Sequence, residues 1–268
     1  MVGGGRGTGG RVGGRLLGTA AGEQQQGRQQ QRQDARGTCH AAILPHGRVP
    51  YGPGPHTLGA VNALPALLDH LVLATPDLAA TVADFTRRTG VAPAPGGVHV
   101  GRGTRNHLVS LGGTGYLEII GPDPEQSEPD EPRPFGVDEL TAPRIVTWAI
   151  RPPDLDAAVA AARAHGHDTG PVRPMSRRRP DGTLLRWRLT DGGSDPSGLV
   201  PFLIDWGDTP HPSADLPVTA LVELTASAPD PSALRPLLSA LGTALPLTAG
   251  PVGWSCTVDS PRGPVSFG

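Results

Sequence analysis

Apolar positions in this chain fall into short runs, and each run is followed by an alanine- and leucine-rich stretch of helical period. Leu68-Asp69-His70-Leu71-Val72-Leu73, Ile145-Val146-Thr147-Trp148-Ala149-Ile150 and Leu221-Val222-Glu223-Leu224 read as buried strands. A Pro-Asp pair closes each run, at Pro76-Asp77, Pro153-Asp154 and Pro229-Asp230, with spacings of 77 and 76 residues. Asp77, Asp154 and Asp230 stand where a helix N-cap accepts a bond from free backbone N–H groups. Gly90, Gly166 and Gly242 follow them by 13, 12 and 12 residues and suit the left-handed residue that ends a helix. Between cap and glycine, Leu78, Val82 and Phe85, and then Leu155, Val159 and Ala162, share one helical face. Self-similarity at a fixed period predicts βα units that bury their apolar faces against one another.

Composition divides the chain. Residues 1–60 are rich in Gly, Gln and Arg, carry seven Arg against Glu23 and Asp34, and show no apolar period. Such a tract cannot bury enough surface to offset its ordering entropy, so a disordered, dispensable tail is expected. Val61 opens the periodic sequence, and a valine codon there is a second candidate start. The remainder has 16 Arg against 23 Asp plus Glu, so the net charge of −2 averages two unlike regions. Every one of the 23 basic residues is Arg, which together with abundant Ala, Gly and Pro points to a GC-rich genome. The tail lacks aromatics before Tyr51 and lacks Arg clusters, so no nucleic-acid partner is expected. No apolar stretch is long enough for a signal core or a membrane span. Cys39 and Cys256 form neither a disulfide framework nor a metal spacing, and a cytoplasmic location is expected.

Candidate chemistry is concentrated between Leu67 and Gly121. Strand alternation puts Leu68, His70 and Val72 on one face, and Glu118 lies between Leu117 and Ile119. An ionisable group on an apolar strand needs a partner. An imidazole and a carboxylate facing one cleft suit a divalent metal; a buried hydrogen-bonded pair without metal suits the same residues. Gly96-Gly97-Val98-His99 and Gly103-Thr104-Arg105-Asn106 read as a glycine-rich loop whose backbone can approach a ligand closely, offering a titratable group and an amide. Arg177-Arg178-Arg179 precede a Pro-Asp-Gly turn and read as a solvated cationic run. Arg186 and Arg188 alternate with Leu185, Trp187 and Leu189, giving a strand with one apolar and one cationic face. No P-loop, dinucleotide fingerprint or Gly-x-Ser-x-Gly elbow is present, so no nucleotide cofactor is expected.

The Asp-His-Leu-Val strand, the Gly-Gly-x-His…Gly-Thr-x-Asn stretch and the Tyr116-Leu117-Glu118-Ile119 strand resemble the vicinal-oxygen-chelate superfamily and its glyoxalase-like proteins. Asp181-Gly182-Thr183-Leu184 to Arg188 and Pro201-Phe202-Leu203-Ile204 to Gly207 extend the resemblance, which covers residues 66–268. It implies an α+β fold of repeated βαβββ modules of the glyoxalase, bleomycin-resistance and dioxygenase type. The modules would be residues 61–140 and 141–215, with a third, partial one over 216–268.

The resemblance also implies metal ligands on the first and last strands of a module, here His70 and Glu118, holding Zn, Mn, Fe(II) or Ni. Unit spacing puts Thr147 at the His70 position of the second unit and Glu223 at that of the third. Glu223 is therefore a candidate third ligand or base. Glu118 and His99 are the candidate catalytic groups, and Asn106, Arg105, Arg186 and Trp187 the candidate substrate contacts. The expected function is a metal-assisted lyase, isomerase or dioxygenase acting on a small oxygen-rich metabolite. A non-catalytic small-molecule binder of the same fold is the alternative. No membrane partner is expected, and a homodimer is the candidate assembly.

Overall fold

The computed structural model describes residues 64–113, 115–178, 182–193 and 195–268. The expected tail over 1–60 and the turn at 179–181 lie outside these residues.

Two βαβββ modules build one curled sheet. The first runs β1 (Leu68–Ala74), α1 (Leu78–Thr89), β2 (Ala94–His99), β3 (Thr104–Ser110) and β4 (Tyr116–Pro122). The second runs β5 (Arg144–Ile150), α2 (Leu155–Ala164), β6 (Val172–Arg178), β7 (Leu184–Thr190) and β8 (Phe202–Asp205). Their order in the sheet is β2-β3-β4-β1-β5-β8-β7-β6. The opening strand of each module pairs in parallel with its last, β1 with β4 and β5 with β8. The two opening strands meet antiparallel at the centre. The sheet curls until the edge strands β2 and β6 come alongside each other.

The helices form where the capping chemistry directs. Asp77 accepts from the Ala80 amide at 2.9 Å and Asp154 from the Ala157 amide at 2.9 Å. A third helix, α3 (Pro231–Ala240), is capped by Asp230 from Ser232 and Ala233 at 3.0 and 3.3 Å. Gly90, at φ +75°, closes α1 in the left-handed region.

Alternation along the central strands separates two apolar layers. Leu71 and Leu73 of β1 and Leu117 and Ile119 of β4 face outward, into a core shared with Phe85, Trp148 and Leu155. Val72, Ala74, Ile120, Phe202 and Ile204 face the concave side. There they meet Val137 and Phe135 from the link between the modules, so part of the concave face is filled by the chain itself.

The third unit shares the strand–helix opening and then departs from it. It consists of β9 (Ala220–Ala228), α3, β10 (Leu247–Ala249), β11 (Gly253–Asp259) and β12 (Val265–Phe267), in a separate sheet of order β10-β9-β11-β12. Its opening strand pairs in parallel with β10, not with its last strand. Leu224, Leu238, Cys256 and Val258 join the outer core with Leu71 and Trp148, so this unit packs behind the curled sheet and does not extend it. Burial pushes the Cys256 thiol up to about 12.

Glu223 does not reach His70. The register of β9 against β11 pairs Val258 with Leu221 and Thr257 with Glu223, leaving Val222 as the extra residue of a bulge. Leu221 and Leu224 thereby both turn inward, and Glu223 is exposed. Equal spacing along the sequence cannot show which sheet a strand joins.

Candidate functional site

The concave face becomes polar at the end of the sheet where β1 and β4 begin. A register shift against β5 between Leu68 and His70 puts Asp69 at a bulge. Asp69 is fully buried and His70 is 4% exposed. Asp69 Oδ1 accepts from His70 Nδ1 at 2.7 Å. Its other oxygen accepts from Trp206 Nε1 at 3.1 Å and from His211 Nε2 at 3.0 Å. The His70 ring is stacked on Tyr116 with centroids 4.7 Å apart and meets the edge of Phe202 at 5.2 Å. With Nδ1 committed to Asp69, the ring presents Nε2 to Glu118 Oε2 at 3.7 Å, too long for a hydrogen bond.

Glu118 is held from its other side. Asn106 Nδ2 donates to Glu118 Oε1 at 2.5 Å, and the same amide nitrogen lies 3.3 Å from His99 Nε2. Since that nitrogen can only donate, His99 Nε2 accepts and His99 Nδ1 donates to Thr104 Oγ1 at 3.0 Å. His99 Nε2 is 3.8 Å from Glu118 Oε1. Asn106 Oδ1 accepts from Arg177 Nη1 at 3.3 Å. Arg177 sits on β6 of the second module and is buried. The order Arg177, Asn106, Glu118 thus ties the two modules together across the closed edge. Gly96 and Gly97 make room for this approach: a Cβ on Gly96 would strike Asn106 Oδ1 and lie 2.7 Å from Arg177 Nη1.

Electrostatics follow from burial and these bonds. Burial alone would raise the Asp69 pKa, but the bonds and charges of His211 and His70 outweigh it and hold the carboxyl below the usual range. Burial lowers the His99 pKa below the usual 6.5; Glu118 opposes the shift, and Arg177 and Arg102 reinforce it. Tyr116 is raised well above 10.0 by burial, then by Asp69 and Glu118, so its phenol stays protonated.

The His99 shift gives a pH prediction. A histidine whose folded pKa is depressed is fully stabilising above the unfolded value and loses that contribution as pH falls through 6.5 towards the folded value. His107, lowered by burial and by Arg105, acts in the same window. Between pH 7 and pH 5, unfolding free energy should therefore fall more steeply in wild type than in His99→Gln, by at most about 1.4 kcal/mol per pH unit. Urea titrations at several pH values measure this; parallel curves would show that His99 titrates normally.

The sequence candidates divide. His70, Glu118, His99 and Asn106 are brought together. Arg105 turns to the opposite face of β3 and pairs with Asp123 at 3.5 Å and Glu125 at 3.3 Å. Arg186 is exposed, its backbone N–H and C=O both bonded to Thr209 Oγ1. Trp187 lies on the apolar concave layer against Trp206, centroids 5.1 Å apart. Sequence reasoning missed Asp69, Tyr116 and His211, and read Arg177 only as part of a cationic run. The pairing of Asp69 with the His70 it precedes was the one local signal.

A metal centre would need further donors. Among the described residues, no three His, Cys, Asp or Glu side chains are placed to hold one metal ion. His70 and Glu118 supply two donors, His99 Nε2 already accepts from Asn106, and Glu223 is elsewhere. The set does not form a complete protein-ligated centre.

Paired βαβββ modules around a histidine–carboxylate cluster define the vicinal-oxygen-chelate class. The sequence profile of the glyoxalase-like domain matches residues 68–242, and the chain belongs to that family. The match spans both modules of the curled sheet and continues to the end of α3. No curated protein sequence matches the chain. Among solved structures, a hypothetical protein from Staphylococcus aureus is 12% identical, with 75% of this chain and 84% of that one covered and a TM-score of 0.50. Methylmalonyl-CoA epimerase from Mycobacterium tuberculosis is 21% identical, covering 52% of this chain and 87% of its own, with a TM-score of 0.34. The Streptomyces coelicolor epimerase is 24% identical over 54% of this chain and 97% of its own, also with a TM-score of 0.34. At 12% identity the likeness to the Staphylococcus aureus protein is one of fold alone.

Proposed function

We propose that this chain is a glyoxalase-like enzyme that seats a small hydroxyl- or carbonyl-bearing metabolite between His70 and Glu118 and moves a proton on it. One observation carries the reading. His70 Nε2 and Glu118 Oε2 lie 3.7 Å apart with no hydrogen bond between them, and with Nδ1 held by Asp69 the neutral ring offers Nε2 as an acceptor, an arrangement suited to a ligand proton in the gap. Asp69 fixes the imidazole, so Nε2 is the nitrogen offered. Glu118 is the base that takes a proton from carbon or oxygen of the ligand. Asn106, backed by Arg177, holds the carboxylate in place.

The test uses hydroxyacetone in D2O. Wild type should catalyse exchange of the protons beside the carbonyl, read by NMR, and Glu118→Gln should slow that exchange by about 10²-fold or more. Binding without exchange would favour the non-catalytic binder of the same fold. Neither binding nor exchange would remove this ligand class.

A second reading is favoured by Asp69 standing behind His70 Nδ1, since a carboxylate commonly orients a metal-ligating imidazole in this way. His70 and Glu118 would then hold a divalent ion such as Zn, Mn, Fe(II) or Ni, with ligand oxygens supplying the missing donors. A bound ion would polarise a carbonyl as a Lewis acid. Elemental analysis of protein purified without chelator, beside His70→Ala, separates the two readings. A cytoplasmic location, a homodimer and the absence of nucleic-acid and membrane partners belong to the same proposal.

A further inference from the structure

At the end of the sheet where β1 begins and β5 and β8 finish lies a recess of about 460 Å³, within the usual size of small-molecule sites. Its walls include Leu67, Arg151, Pro153, Trp206 and His211. His70, Glu118, His99 and Asn106 do not line it. Trp206 and His211 stand between the recess and Asp69, to which both donate.

Almost every polar group in the recess is already committed. His211 gives Nε2 to Asp69, and its Nδ1 lies 2.7 Å from Ser213 Oγ. Trp206 Nε1 is bonded to Asp69. Thr209 Oγ1 serves both backbone groups of Arg186. Asp205 is neutralised by Arg188 at 2.9 Å and accepts from the Gly207 amide at 2.8 Å. Arg151 differs. Its backbone N–H donates to Leu67 O at 2.8 Å, yet among the described residues its guanidinium has no hydrogen-bond or ion-pair partner.

A guanidinium presents a planar fork of donors that matches a carboxylate in two parallel bonds. Around it, Leu67, Pro152, Pro153 and Trp206 offer apolar surface. We infer that this recess binds a small organic monocarboxylate, with the carboxylate on Arg151 and the apolar body against Trp206 and Pro153. The inference does not depend on proton transfer at His70 and Glu118, because none of those groups lines the recess.

The probe is benzoate, titrated into the full chain and followed by tryptophan fluorescence and saturation-transfer NMR. Saturable binding is expected, weakened about tenfold or more in Arg151→Gln and weaker by a similar factor for neutral benzamide on wild type. Should Arg151→Gln fail to fold, the benzamide comparison decides alone. Glu118→Gln should bind benzoate as wild type does, and Arg151→Gln should keep hydroxyacetone exchange. Absence of saturable binding, equal affinity for benzamide, unchanged affinity in a folded Arg151→Gln, or loss of benzoate binding in Glu118→Gln would each overturn the proposal.

Discussion

Asp69→Ala is expected to lower the unfolding free energy by about 3–5 kcal/mol, the range for removing one partner from a buried charged network. The side chain is fully buried and accepts from His70, Trp206 and His211. Truncation leaves three donors without their acceptor. A loss of this size corresponds to a melting shift of roughly 6–20 °C for a chain of this length. Asp69→Asn keeps the volume but brings an amide N–H against donors, so it should fall between Ala and wild type. The acid limb of the stability curve supplies a second readout. A carboxyl whose folded pKa is depressed stabilises fully above the unfolded value of 3.8, and that contribution is lost as pH falls through the folded value. Wild type should therefore lose stability below about pH 4 by a component that Asp69→Ala lacks. A loss under about 1 kcal/mol in urea titrations would mean the donors find other partners.

The pair His70 and Glu118 was legible in the sequence because strand period alone puts each of them on a definite face. Both flanking patterns are apolar, and the strands that carry them are neighbours in register, Val72 beside Glu118. Asp69 was not legible. Regular alternation turns it away from His70, and only the bulge against β5, set by a strand some 77 residues later, brings its carboxylate onto the imidazole. Arg177 was hidden for a related reason. Its partner Asn106 is 71 residues away, and the contact exists because the curled sheet closes β6 against β2. Three consecutive arginines before a turn read locally as a solvated run. The glycines at 96 and 97 suggest a loop that approaches a ligand; they lie instead on strand β2, and what approaches them is the Arg177 side chain.

Removing residues 217–268 should abolish cooperative unfolding of the remaining chain. Leu71, Val109 and Trp148 of the curled sheet share one buried core with Leu224, Leu238, Cys256 and Val258. Trp148 meets Trp254 edge-on with centroids 6.4 Å apart, and Phe85 of α1 stacks on Phe267 at 5.1 Å. Arg88 lies over the Phe267 ring at 4.5 Å, and Thr243 Oγ1 donates to Ala66 O at 2.6 Å. Backbone bonds also cross the junction: Ser110 N donates to Pro217 O, and Thr219 N and Leu221 N donate to Ser110 O and Leu111 O. Each large apolar side chain returned to water costs about 1.5–3 kcal/mol, and several would be exposed together against a total stability of roughly 5–15 kcal/mol. The concave site would keep every one of its residues, yet the outer face that holds β1 and β5 in position would be bare. Calorimetry and light scattering on the 1–216 fragment should show aggregation or a broad transition without a defined melting temperature. A soluble fragment with an unchanged melting temperature would instead make residues 217–268 an independent domain, resting on the curled sheet without supporting it.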